Sequence, residues 1–301
     1  MTRILSYNIL FGGKRRIEQL TTVLRSVQPD VIGLAEATNP KVVEELAARL
    51  DMQFRLSDHA KDSRDWQLAV LSRLPILSTT VHTSAVFSRK YFLEVSVEEP
   101  GGNPLTVFII HQTSEFHRGV ESNRMRRAEV QEMLRIMQAR KGTPHLVMGD
   151  FNSLAPGDSM QASAILRGAV RNYDSWNKRP GAHYMDVGSW TKFRRNAMRT
   201  AVGTIANSRA GSFLIDRVSP IYARGGIDLL LQAGYIDTFR RLHPDERGFT
   251  CPAANPAGRI DFIFASPELA QRLTTACFVA EVPGLKAHEA SDHFPVWAEF
   301  K

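Results

Sequence analysis

The chain has 301 residues, enough to bury a sizeable core, and 43% of them are hydrophobic and 23% charged, as in an ordinary globular protein. Its two cysteines, Cys251 and Cys277, are too few for a disulfide framework and do not have the spacing of a metal-binding pair. No stretch approaches the length of a membrane span, and the N-terminus lacks the apolar core of a signal peptide. We therefore expect a cytoplasmic protein.

The formal net charge is +7, and one segment accounts for it. Between residues 155 and 224, eleven lysines and arginines stand against four aspartates and no glutamate, which leaves an excess of +7. This basic insertion suits a polyanionic partner, and we expect that partner to be nucleic acid. Trp190, Arg194 and Arg195 are candidate contacts, because aromatic rings among cations can stack bases and follow a phosphate backbone. The alternative is a structural role, in which the insertion folds as helices that cap the rest of the protein.

Apolar segments with strand-like and helix-like spacing alternate along the chain. Several consecutive strands lack a helix between them, which favours a mixed-sheet α/β sandwich over a purely parallel sheet. The predicted elements are, in chain order, a strand at Ile4–Leu10, a helix at Ile17–Gln28, a strand at Val31–Ala37, a helix at Lys41–Leu50, strands at Trp66–Ser72, Tyr91–Val97 and Leu105–His111, a helix at Asn123–Arg140, a strand at His145–Gly149, a helix at Ile227–Gln232, a strand at Ile260–Phe264, a short helix from Pro267, and strands at Ala276–Val282 and Phe294–Phe300.

Polar side chains recur where these apolar strands begin or end, so that they can converge on one edge of the sandwich. Most of them offer carboxylate or amide oxygens, which suit Mg²⁺, or Mn²⁺ as a substitute, better than a sulfur-bound Zn²⁺. A bound Mg²⁺ could polarise a phosphoryl oxygen and offset charge in the transition state. The candidate metal ligands are Asn8, Glu36, Asp150, Asn152 and Asp292.

Histidines accompany these oxygen ligands. His293 can move a proton near neutral pH, and Asp261 could hold its ring and support the imidazolium, as an aspartate does in a catalytic triad. Taken singly, each motif is weak: a Gly-Asp-Phe-Asn sequence is common in turns, and His111 alone is more often structural. The conjunction of all these motifs in one order is what predicts a catalytic site.

These residues resemble the endonuclease/exonuclease/phosphatase superfamily of metal-dependent phosphoesterases. The resemblance runs from residue 4 to residue 300, apart from the basic insertion. It implies a four-layered α/β/β/α sandwich of two packed mixed sheets, in a single domain over residues 1–301 that includes the insertion. The motifs that carry it are Ser-Tyr-Asn8, Ala-Glu36, His111, Gly-Asp150-Phe-Asn152, Arg-Ile-Asp261 and Ser-Asp292-His293.

The resemblance also implies a role for each residue. Glu36 would be the main metal ligand, with Asn8 and Asp292 nearby. The water and the phosphate would be handled by two residues, Asp150 orienting or activating the water and Asn152 positioning both. The residues implied to handle protons or bind phosphate are His293 with Asp261, and His111. The general base remains open between Asp150 and His293.

The substrate is less well defined by the sequence. The stretch 234–241 resembles the abasic-site endonuclease branch, whereas His111 replaces a tyrosine usual there, and Gly-Phe-Thr-Cys-Pro at 248–252 lacks the usual tryptophans. The broader prediction is a Mg²⁺-dependent phosphodiesterase, foremost a nuclease acting on DNA or RNA. The alternatives are a phosphatase or phosphodiesterase acting on a small-molecule or lipid phosphate ester, and a catalytically silent binding protein.

Overall fold

The computed structural model describes residues 1–57, 67–87, 92–114, 120–168, 201, 203–222 and 224–301. Two compact units make up the chain, one formed by Met1–Asp158 with Tyr222–Lys301 and the other by Ser159–Ile221. The second unit falls within the basic insertion at 155–224, and the single-domain organisation remains a prediction. Among the described residues, no helix is both long and apolar enough to cross a membrane.

The first three α-helices of the chain, of 11, 11 and 18 residues, each bury one face. In the first, Leu20, Leu24 and Val27 are buried, and the helix ends before Gln28, whose φ is 50°. The second begins with a proline. The first helical turn tolerates proline, because the N–H that proline lacks would have no helical partner there. Helices α1 to α7 span Ile17–Val27, Pro40–Leu50, Val120–Met137, Arg209–Tyr222, Ile227–Gln232, Thr238–Leu242 and Pro267–Ala270.

Strands of the described residues form two main sheets of six strands each and one small two-stranded sheet. The first sheet has the order β11-β14-β1-β2-β4-β3, the second β5-β6-β7-β8-β10-β9, and β12 pairs with β13. Strands β1 to β14 span Thr2–Asn8, Val31–Ala35, Gln53–Leu56, Ala69–Ser72, Ile76–His82, Phe92–Glu98, Pro104–His111, His145–Asp150, Ile236–Asp237, Asp261–Ala265, Leu273–Phe278, Glu281–Val282, Leu285–Lys286 and Val296–Phe300.

Side-chain alternation along the central strands builds the layers, because successive residues of a strand point to opposite faces. In β8, Leu146 and Met148 pack between the two sheets, whereas Val147 packs with Val130 and Met133 of helix α3. In the same way, alternate residues of β1 pack between the sheets and against α1 and α2. Helices therefore cover the outer faces of two packed mixed sheets, which confirms the predicted four-layered sandwich.

Strand register brings the polar strand ends to one edge of the sandwich. Strands β1 and β2 are parallel, with Asn8 opposite Ala35, so that Asn8 and Glu36 end adjacent strands. Strands β7 and β8 are also parallel, with His111 opposite Asp150. Strand β10 runs antiparallel to β8 and places Asp261 opposite Asp150, and β14 begins just after His293 and runs antiparallel to β1. The ends of β1, β2, β7 and β8 and the starts of β10 and β14 therefore share an edge.

Some elements differ from the sequence-based predictions. Strands β3 and β5 were not predicted, because their side chains are largely exposed or half-buried and show no apolar run. A strand is predicted at Ala276–Val282, but in the structure β11 spans Leu273–Phe278. Two threonines and several half-buried positions in β11 weaken the apolar signal in the sequence. The remaining predicted elements in the described part of the chain are confirmed to within a few residues.

Gly149 is required by the pairing of β7 and β8. A Cβ at this position would lie 2.0 Å from the backbone oxygen of Ile110, and its φ is 150°. We expect Gly149→Ala to lower the free energy of unfolding by at least about 2 kcal/mol, since backbone must move to relieve the overlap. The measurement is urea unfolding. Gly101→Ala is the control, because Gly101 also has positive φ but no atom within 4 Å of the added Cβ. Equal losses in the two variants would contradict this explanation.

Candidate active site

Asp150 lies at the centre of the converging strand ends and is 2% exposed. Its Oδ2 accepts a hydrogen bond from Asn8 Nδ2 at 3.1 Å and lies 3.4 Å from His111 Nε2 and 3.8 Å from His293 Nε2. Its Oδ1 accepts the backbone N–H of Asn152 at 2.8 Å. This carboxylate therefore contacts groups from strand ends in both sheets.

Asn8 and Glu36 form the second part of the site. Asn8 Nδ2 donates to Glu36 Oε1 at 3.1 Å, and the amide thus bridges the Glu36 and Asp150 carboxylates. Asn8 Oδ1 accepts the N–H of Leu10 at 3.0 Å, so this oxygen could ligate a metal only through its second lone pair. The second Glu36 oxygen accepts the N–H of Phe11 at 2.7 Å.

Two candidate residues adopt left-handed backbone conformations that are uncommon outside glycine. The φ angles are 55° for Glu36 and 47° for Asn152. Such conformations carry an energetic cost and tend to occur where function requires a particular side-chain direction. In Asn152 the amide Nδ2 donates to the backbone oxygen of Gln112 at 3.0 Å, which fixes the side chain beside the end of β7.

His293 and Asp261 form the predicted pair. His293 Nδ1 lies 2.9 Å from Asp261 Oδ2, so its other ring nitrogen, Nε2, is directed toward Asp150 and Asp292 at 3.8 and 4.0 Å. The loop before β14 is held by Ser291, whose hydroxyl donates to the backbone oxygen of Asn8 at 2.6 Å. Asp261 thus orients the ring so that its second nitrogen is presented to the site.

Electrostatics favour an ionised Asp150 beside a protonated His293. Burial alone would raise the pKa of Asp150, but the His293 and His111 rings and the Asn152 N–H outweigh it and hold this pKa below its usual range. Burial also opposes a charged imidazole, but the neighbouring Asp261 and Asp150 carboxylates raise the pKa of His293 well above its usual value. The site therefore places an ionised carboxylate 3.8 Å from a protonated imidazole.

Glu36 has a different environment. Burial raises the pKa of its carboxyl to about 7, although the Phe11 N–H and the Asn8 amide oppose this shift. No lysine, arginine or histidine of the described residues forms an ion pair with Glu36. A buried carboxylate without a protein cation favours the binding of an external one.

The predicted metal ligands differ in exposure. Asp292 is the most accessible, with 47% of its side chain exposed, whereas Asn8, Glu36, Asp150 and Asn152 are each at most 6% exposed. In the described residues, Asp150, Asp261 and His293 also offer ligand atoms within 4.8 Å of one another, a group that could hold a metal ion. Since Asp261 and His293 already neutralise each other, the Glu36 side of the site is electrostatically better suited to a cation.

All the predicted catalytic and metal-binding residues, from Asn8 to His293, lie in this one region. The predicted nucleic-acid contacts Trp190, Arg194 and Arg195 lie outside the described residues. Sequence reasoning missed the backbone groups of Leu10 and Phe11 and the carbonyl of Gln112, because a main-chain hydrogen bond leaves no residue-type signature.

Comparisons with known proteins place this geometry in a family. The profile of the endonuclease/exonuclease/phosphatase family matches residues 5–293. Exodeoxyribonuclease III of Haemophilus influenzae is 24% identical over 99% of this chain and 100% of its own. An AP endonuclease structure from Archaeoglobus fulgidus superimposes with a TM-score of 0.65 at 16% identity, covering 100% of this chain and 99% of that one.

A further similar structure is a 3′ phosphatase from Neisseria bound to a product DNA hairpin. It has a TM-score of 0.62 at 17% identity and covers 100% of both chains. At these identities the two structures establish the shared fold, and the profile match over nearly the whole chain establishes the family. The chain belongs to the endonuclease/exonuclease/phosphatase family of phosphoester hydrolases.

Proposed function

We propose that the protein is a Mg²⁺-dependent phosphodiesterase that acts as a nuclease on DNA or RNA. The observation that carries this proposal is the buried arrangement of Glu36, Asp150 and the His293–Asp261 pair at one edge of the sandwich. It provides an oxygen-rich cation site beside a proton acceptor and a cationic donor, the groups that metal-assisted hydrolysis of a phosphate ester requires.

In this mechanism Asp150 orients the attacking water and accepts its proton, because its carboxylate is ionised and lies between two histidines. The N–H at His293 Nε2 binds a phosphoryl oxygen and stabilises the charge that develops there. Asp261 keeps the imidazole in the orientation and charge state that this contact needs. Asn152 and His111 flank Asp150 and help to position the water and the phosphate.

The donor set fits Mg²⁺, with Mn²⁺ as a possible substitute. Glu36 and Asp292 would hold the ion, with Asn8, Asp150 and Asn152 close enough to complete or orient its water shell, and all of these offer oxygen. When bound, the ion polarises the phosphoryl group and offsets its negative charge.

A nucleic-acid substrate is supported by two independent observations. The basic insertion carries a formal excess of +7, which suits a phosphate backbone. The similar proteins include an exodeoxyribonuclease and a phosphatase bound to DNA. The alternative is a small-molecule or lipid phosphate ester, for which the insertion would be a structural cap.

The experiment that tests the function is hydrolysis of plasmid DNA, an abasic oligonucleotide, RNA and bis-p-nitrophenyl phosphate, each with Mg²⁺ or with EDTA. Cleavage of a polymer that EDTA abolishes is the expected result. Cleavage of the small ester alone would favour the alternative, and no metal-dependent turnover above background would favour a silent binding protein.

Removing the central groups should lower the rate of turnover strongly. We expect Asp150→Asn and His293→Ala each to lower kcat by about 10²- to 10⁴-fold, the usual contribution of a positioned acid or base. His145→Ala is the control, since His145 is also buried but bonds Tyr235 rather than site residues. Its kcat should stay near that of the wild type. Wild-type rates for His293→Ala would overturn the site assignment.

Metal binding can be measured without activity. We expect Mg²⁺ at about 100 times its Kd to stabilise the wild type by roughly 2.7 kcal/mol and to leave Glu36→Gln unaffected. In EDTA the glutamine variant should melt no lower than the wild type, because the amide avoids burying a charge. Glu99→Gln is the control: Glu99 is buried but paired with Arg272 at 2.7 Å, at the opposite end of the sandwich. It should lose stability but keep the full Mg²⁺ shift. A full shift in Glu36→Gln would exclude Glu36 as a ligand.

The basic insertion can be tested by charge reversal. If it contacts nucleic acid, Arg194→Glu with Arg195→Glu should weaken binding at least about tenfold and reduce the log–log salt slope by up to about 2. The control reverses Arg73 and Lys141, which are exposed and lie near strand ends opposite the site. The measurement is a titration with labelled oligonucleotide. Equal affinity of the two double variants would favour a structural role for the insertion.

A further inference from the structure

The segment Thr250–Cys251 lies beside the start of β10, the strand that begins with Asp261. Thr250 is 1% exposed. The backbone N–H groups of Thr250 and Cys251 both donate to the Gly258 carbonyl, at 2.9 and 3.1 Å. Cys251 and Gly258 also form an antiparallel bridge. This short pairing holds the segment against the stretch of chain that leads into β10.

Thr250 contacts the aspartate of the His293–Asp261 pair. Its Oγ1 accepts hydrogen bonds from the backbone N–H groups of Ile260 at 3.2 Å and Asp261 at 3.3 Å. Burial raises the pKa of the Asp261 carboxyl, and the nearby Thr250 hydroxyl opposes this rise. A hydroxyl has two acceptor positions, and this one uses both on the backbone of residues 260 and 261.

The same segment also bonds to the chain around His293. The carbonyl of Thr250 accepts the N–H of Phe294 at 2.8 Å, and the N–H of Ala253 donates to the carbonyl of Asp292 at 2.7 Å. These backbone bonds fix the residues on either side of His293, while the Thr250 side chain contacts the residue that orients its ring.

We propose that Thr250 is a positioning residue of the catalytic pair, which fixes Asp261 beside His293 through its bonds to the start of β10. The proposal rests on the proposed function, because it assigns Thr250 to the same hydrolytic step. The Thr250 side chain does not reach the substrate in this scheme. Its loss should therefore lower kcat through misplacement of the pair and leave KM nearly unchanged.

The first test compares Thr250→Val, which removes the hydroxyl and keeps the shape, with Thr250→Ser, which restores the hydroxyl. With bis-p-nitrophenyl phosphate as substrate and Mg²⁺ present, we expect Thr250→Val to lower kcat on the order of 10- to 100-fold with KM within about twofold. Thr250→Ser should recover most of the rate.

Thr238→Val is the matched control. Thr238 is equally buried, and its Oγ1 donates to the Ile263 carbonyl at 2.9 Å, in the same strand as Asp261 but away from the pair. It should lose comparable stability and keep its kcat. A kcat for Thr250→Val equal to that of Thr238→Val, or no recovery in Thr250→Ser, would overturn the proposal.

A measurement independent of turnover separates this proposal from the proposed function. The proton between His293 Nδ1 and Asp261 should give a low-field resonance in the ¹H NMR spectrum of the wild type and of Thr238→Val. It should broaden or disappear in Thr250→Val. An unchanged resonance would refute the positioning role, whereas failure of the wild type to hydrolyse any phosphodiester would refute the function alone.

Discussion

The site is organised by the burial of negative charge. Glu36, Asp150 and Asp261 are each at most 6% exposed, and a carboxylate in such a place costs free energy unless nearby dipoles or cations compensate it. Asp261 is compensated by His293, and Asp150 by two histidine rings and the Asn8 amide. Among the described residues, Glu36 has only neutral N–H donors, and burial raises its pKa to about 7, so that a bound cation would stabilise its ionised form. In the proposed function, this difference separates the half of the site that handles protons from the half that binds a cation.

Much of the fold and of the site could be predicted because both depend on the same apolar runs. A buried strand such as β8 is a run of hydrophobic residues, and the polar residue that ends it is conspicuous in the sequence. Strand β5 has exposed threonines and serine instead, so its pairing with β6 decides its structure and no local pattern reveals it. The predictable part of the site is the part carried by side chains at strand ends.

The supporting contacts were less accessible to sequence reasoning. Thr250 looks like a loop residue, and its role becomes visible only when Asp261, eleven positions later, folds back beside it. Asn8 was predicted as a metal ligand from its residue type, and the structure adds that its amide bridges two carboxylates. Such relations depend on the direction of each side chain, which the spacing of residues along one strand does not specify. The insertion shows the same limit: its charge predicts a polyanionic partner, but it does not predict how the basic side chains are arranged.

The pairing of β1 with β14 has a consequence for how the protein is made. Strand β1 lies between β2 and β14, and its Thr2 is opposite Phe300, so that β1 depends on a strand far along the sequence. Contacts between residues so far apart in sequence form slowly, because a long loop must close first. His293 likewise joins Asn8 and Glu36 only after this closure. During synthesis on the ribosome, the complete constellation therefore forms only after β14 has emerged and docked against β1.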